Sequence, residues 1–150
     1  MGGFMELTKE RGSMTMNGDA AAPPVCDVSG ADLQRVYYYS VFPNMLLTPH
    51  PDFVMFHHIT PVGPEKIINE CYWLFHPEVM NDTQAQNGIA SAVEFWNMTN
   101  LQDWKVCEQM QQGTKSKRFT RGYYSGGEDI LYAMDKELIK ALGHDDEWLG

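Results

Sequence analysis

The stretch that most constrains this chain is residues 91–113, SAVEFWNMTNLQDWKVCEQMQQG. Ser91 suits an N-cap, and Glu94 three residues later completes an S-x-x-E capping box. No proline interrupts the run, and Gly113 stands where a glycine would end it, so the pattern predicts a helix over residues 91–112. At about 100° per residue, Val93, Trp96, Asn100, Asp103, Cys107 and Met110 share one stripe, which Phe95, Thr99, Trp104 and Val106 widen. Glu94, Leu101, Lys105 and Gln109 lie opposite. Asp103 therefore falls in the middle of the face expected to be buried. An unpartnered carboxylate taken out of water costs several kcal/mol or becomes protonated. No lysine or arginine shares the stripe, so the partner must come from elsewhere. A structural carboxylate held by hydrogen bonds, a metal ligand and a catalytic base all remain open from the residue alone.

Upstream, residues 36–76 are rich in branched and aromatic side chains, and strands are expected there. Pro43 and Asn44 break the first run (36–47), His50-Pro51-Asp52 makes a turn, and residues 53–60 and 66–76 form a hairpin around Pro61-Val62-Gly63-Pro64-Glu65. A sheet this small needs a second layer on its face, which the long helix can supply. Residues 1–35 read as a weakly ordered lead-in, with a short strand over 13–17 ending at Asn17-Gly18 and a helical turn over 29–35. Residues 77–89 read as an exposed connection. Residues 114–127 form a basic loop that reads as a solvated face. Leu131, Met134, Leu138 and Leu142 mark a second amphipathic helix over 128–142, with Gly143 at its end. Residues 144–150 are an acidic tail. The main domain is thus expected over residues 36–143, within an α+β architecture.

A net charge of −9 argues against nucleic acid or an anionic membrane as the main partner. Three widely spaced cysteines, Cys26, Cys71 and Cys107, form no C-x-x-C, which points to a reducing, cytoplasmic setting. No apolar run reaches membrane-spanning length. No P-loop, G-x-S-x-G, H-E-x-x-H or Gly-rich dinucleotide turn occurs. His57 and His58 point to opposite faces of a strand, so at most one of them faces the helix and can approach Asp103. Asn100, one turn before Asp103, could orient its carboxylate. Trp96 and Cys107 read either as core or as pocket wall. Tyr37, Tyr38, Tyr39 and Trp73 read as ordinary strand residues, or as aromatic walls for a quaternary ammonium.

The order VFPNMLLTPHPDFVMFHHITPVGPEK, ECYWLFHPEVM, AVEFWNMTNLQDWKVCEQMQQG and GYYSGGEDILYAMDKELIKALG resembles the C-terminal half of a Rieske-type oxygenase. The resemblance is to the large (alpha) subunit of aromatic ring-hydroxylating dioxygenases and of quaternary-amine demethylating monooxygenases, over roughly residues 13–143. It implies a partial helix-grip (START/Bet v 1-like) fold, an antiparallel sheet packed on a long C-terminal helix. It implies that Asp103 is the carboxylate of a 2-His-1-carboxylate iron site, with Trp96, Asn100 and Cys107 near the substrate pocket. The implied cofactors are mononuclear Fe(II) and, in the full-length family, a [2Fe–2S] cluster. The implied partners are a small-molecule substrate, O2, a ferredoxin or reductase, and further copies of the chain.

Two parts of the family pattern do not occur in these 150 residues. One is the E/D-x-x-H-x-x-x-x-H segment that supplies the iron-binding histidines. The other is the C-x-H and C-x-x-H pair that holds the cluster. The chain therefore reads as about one third of such a protein, whether by truncation, fragmentation or a mispredicted start, and as inactive alone. Two other readings are a non-catalytic helix-grip module for an apolar small molecule and a piece that completes a partner chain.

Overall fold

The branched and aromatic runs form the sheet. In the computed structural model, which describes residues 2–8, 12–25, 27–120 and 122–144, five antiparallel strands lie side by side in chain order. They are β1 (Gly2–Glu6), β2 (Arg35–Val41), β3 (Met45–Pro49), β4 (Val54–Gly63) and β5 (Lys66–Leu74). Pro43 and Asn44 separate β2 from β3, and Asn44 Nδ2 donates to the Ile59 carbonyl at 2.9 Å, which holds that turn against β4. Pro64 and Glu65 separate β4 from β5. Three helices follow: a single turn α1 (Pro77–Met80), the long α2 (Gln86–Thr114) and α3 (Asp129–Ala141). The arrangement is α+β, a sheet gripping a long helix, with a 3-10 turn at Gly30–Gln34 leading into β2. No helix among the described residues is long and apolar enough to cross a membrane. Cys26 and residues 145–150 of the acidic tail lie outside the described residues.

The period of two along β4 decides which side chains meet the helix. Met55 and His57 are buried, whereas Phe56 and His58 point the other way and are partly exposed. Met55 pairs with Trp73, and His57 pairs with Cys71 on β5 and Leu46 on β3. Against this face α2 lays Ala92 and Trp96, which join Phe53, Met55 and Ala21 in the core, with Trp73, Phe75, Phe95, Cys71 and Met14 around it. Full burial of a large apolar side chain such as Phe53 stabilises by about 1.5–3 kcal/mol. The opposite face is largely open. Phe56 stacks on Tyr72 at 4.8 Å and Tyr37 on Tyr39 at 5.9 Å, yet Tyr72 remains 42% and Tyr39 39% exposed.

Several sequence expectations are corrected here. Residues 13–17 form a turn, not a strand. The Thr15 hydroxyl sits 2.8 Å from the Asp19 carbonyl, and Gly18 has φ 78°, so side-chain-to-backbone bonds close a turn in place of a ladder. The extra strand lies instead at Gly2–Glu6, where pairing on the edge of β2 overrides two glycines. Arg35 caps that pairing, 3.5 Å from Glu6 and 4.3 Å above the Phe4 ring.

The long helix also starts earlier than Ser91. Asn87 and Gly88, read as part of an exposed connection, are its first turn, because that turn docks on the 12–22 loop. A Cβ on Gly88 would sit 2.2 Å from the Ala21 carbonyl oxygen. Ser91 caps nothing; its Oγ accepts from the Met16 N–H at 3.1 Å. At the other end the helix runs through Gly113 to Thr114. Gly143, with φ 80°, ends α3 in the expected way.

The 12–22 loop is itself held by Asp52. This carboxylate is 2% exposed and accepts from Ser13 Oγ at 2.7 Å and the Ala21 N–H at 2.6 Å. Burial raises its pKa, and these hydrogen bonds pull it back down.

Candidate functional site

A cleft of about 450 Å³ lies between the sheet and the helices. Its floor is the helix-facing side of β2 to β4, with Tyr38, Ser40, Leu46, Thr48, Met55 and His57. One wall is α2, presenting Trp96, Asn100 and Asp103. At the far side stands Ile130 of α3, a helix that Ser40 Oγ joins by donating to Met134 Sδ at 3.4 Å. The lining is mainly apolar and aromatic. It holds one carboxylate, Asp103, and no lysine or arginine among the described residues. Such a cleft suits a neutral or cationic small molecule and disfavours an anion.

Its polar centre is a three-residue contact across three elements. His57 Nε2 lies 3.2 Å from Asn100 Oδ1, and Asn100 Nδ2 donates to Cys71 Sγ at 3.5 Å. Burial lowers the pKa of His57, and its hydrogen bond to Asn100 Oδ1 works against that shift. The imidazole is therefore neutral at pH 7. Burial also pushes the Cys71 thiol up to about 11, so it stays protonated. His50, next along the core, is 3% exposed, stacks on Phe53 at 4.1 Å and meets Trp96 edge-on at 5.4 Å. Neither of its ring nitrogens has a partner among the described residues. Burial lowers its pKa to about 3.

Four residues carried the site prediction. Trp96 is buried, both core and cleft wall. Asn100 is buried at the contact just described. Asp103 lines the cleft, but it is exposed where the helical stripe placed it at the centre of a buried face. The stripe is real, but beyond Asn100 its side chains stay exposed, even though the β4–β5 hairpin runs on to Glu65, which Lys115 at the end of α2 reaches at 2.7 Å. Among the described residues it makes no hydrogen bond or ion pair, and no strand histidine bonds it. The histidine that faces α2 is His57, and it meets Asn100, one turn earlier. Cys107 is exposed and lies outside the cleft lining. His57, which the sequence does not distinguish from His58, is the histidine that faces the cleft. The alternation of a β-strand was the signal, since it puts His57 and Met55 on the same face.

A family model described as ring hydroxylating alpha subunit (catalytic domain) matches residues 1–144. The chain belongs to that family. Its match extends beyond the stretch in which the resemblance was seen, and takes in β1.

Ring-hydroxylating alpha subunits imply non-haem iron, and the donors of this chain can be tested against it. Three or more His, Cys, Asp or Glu ligands are needed to fix such an ion. Among the described residues no group of three comes together. Asp103 offers one carboxylate, and His57, which lines the same cleft, is engaged by Asn100. The residues present do not by themselves fit a mononuclear iron site.

Proposed function

We propose that this chain forms the substrate-cleft part of a ring-hydroxylating oxygenase, that Asp103 is one carboxylate ligand of its mononuclear iron, and that the 150 residues are inactive alone. The observation that carries the reading is Asp103 itself: a carboxylate on the wall of an aromatic cleft, with no hydrogen-bond or ion-pair partner among the described residues. A structural carboxylate is held, as Asp52 is by Ser13 and Ala21. A carboxylate reserved for a metal is left free until the other ligands arrive. The remaining ligands, a [2Fe–2S] cluster, the ferredoxin or reductase that feeds it and the homo-oligomer belong to the same proposal, as does a cytoplasmic setting.

The aromatic lining, with no lysine or arginine among its described residues, favours a neutral aromatic or a quaternary-ammonium substrate over an anionic one. The chain's own residues bind and orient: Tyr38 and Trp96 offer ring faces, and Asn100 fixes His57. The test is anaerobic titration of the purified chain with Fe(II), followed by turnover assays with O2 and a reductase. The expected result is no stoichiometric iron uptake and no product. Tight one-to-one iron binding with turnover would overturn it.

A further inference from the structure

We propose that His57 is the specificity-determining hydrogen-bond acceptor of the cleft, and that it selects a ring bearing a hydroxyl donor, the phenol class, over the bare hydrocarbon. The proposal rests on the reading of the cleft as a substrate site and goes on to name what that site prefers.

The geometry runs through Asn100. Its amide nitrogen is spent on Cys71 Sγ at 3.5 Å, so its Oδ1, 3.2 Å from His57 Nε2, is the acceptor of that second contact. His57 Nε2 must then carry the proton. A neutral imidazole has one N–H for two nitrogens, so Nδ1 keeps a bare lone pair. That atom has no hydrogen-bond partner among the described residues, and His57 belongs to the cleft floor. Asn100 is thus a positioning residue, which sets the tautomer, and His57 is the group that meets the ligand. The groups that bear on its ionisation are Asp103 from α2 and the Cys71 thiol from β5, the latter uncharged. His58, on the reverse face, pairs with Glu70 at 3.7 Å and takes no part.

An acceptor set among apolar walls discriminates. A ligand with a donor satisfies it, and a ligand of equal size without one strips its water and leaves it unpaired. The expected preference is about tenfold, the worth of one neutral hydrogen bond.

The experiment uses the 150-residue chain with phenol and toluene, which share a ring and differ by hydroxyl against methyl. Binding is followed by NMR of the indole N–H groups, with 15N-labelled histidine reporting the His57 tautomer. Wild type is expected to bind phenol about tenfold more tightly than toluene, with the Nδ1 resonance moving for phenol only. His57→Phe should level the two probes, with phenol binding weakened and toluene binding no weaker than in wild type. His57→Gln, which keeps an acceptor, should restore part of the preference, and Asn100→Leu should lower it. A His57→Phe variant that still prefers phenol would overturn the proposal. If that variant does not fold, a wild-type Nδ1 resonance unmoved by phenol overturns it equally. If neither probe binds the wild type at all, the reading of the cleft as a substrate site falls first, and this proposal with it.

Discussion

Between Gln86 and Asn100, α2 buries Ala92, Trp96 and Asn100 against the sheet and the 12–22 loop. Beyond Asn100 the same helix leaves the stripe residues Val106 56% and Met110 62% exposed. Both halves carry apolar side chains at helical spacing. What differs is the surface opposite: the first half packs on the core of Phe53, Met55 and Ala21, and the second half has beside it the outer end of the β4–β5 hairpin, where Lys115 pairs with exposed Glu65 at 2.7 Å. Periodicity states what a helix is able to bury, and topology states what it has to bury against. Asp103 sits three residues past the boundary, which is why a carboxylate can stand there unpaired at little cost.

The largest way to break this comparison is Trp96→Ala. Trp96 is 7% exposed in the core, and its truncation is expected to cost about 3–5 kcal/mol in urea unfolding. A loss under about 1 kcal/mol would mean that the first half is not packed either. Next is a pH effect from the same half. Buried His50 has its pKa lowered from 6.5 to about 3, so the unfolded chain takes up a proton below pH 6.5 that the fold refuses. Stability from this group is therefore complete above pH 6.5 and falls on acidification towards pH 3, at up to about 1.4 kcal/mol per pH unit. His50→Phe, which keeps a ring against Phe53 and Trp96, should flatten that profile.

Two glycines of α2 then sharpen the contrast by opposite signs. Gly88→Ala meets the Ala21 carbonyl oxygen at 2.2 Å and should destabilise by about 1–3 kcal/mol. Gly113→Ala meets nothing within 4 Å and should stabilise by about 0.5 kcal/mol through helix propensity. Met110→Ala, on the open half, should change stability by no more than about 0.5 kcal/mol. Thermal unfolding of these three variants side by side checks the order.

Much of the fold was legible in the sequence for physical reasons that are local. The β2–β3 break at Pro43-Asn44, the β4–β5 hairpin and the closing Gly143 all follow from turn chemistry that neighbouring residues dictate. What was not legible depended on distant partners. The start of α2 rests on Ala21 and Met16, far away in sequence, so a good capping box at Ser91-Glu94 was outcompeted. β1 exists because β2 offers an edge. In the site, Trp96 and Asn100 could be placed from the stripe, and Asp103 could be singled out as a carboxylate needing an explanation. Its exposure could not be foreseen, because nothing local says which part of the helix the core side chains of the sheet will cover. His57 was hidden by its twin His58, and only the sheet's facing resolves which of the two reaches Asn100.

The most direct test is amide hydrogen exchange read residue by residue along α2. Packing predicts slow exchange from Ile89 to Asn100 and fast exchange from Leu101 to Thr114, with the step falling between Asn100 and Asp103. Uniform protection through Met110 would contradict it, and would mean that Asp103 stands on a buried face after all.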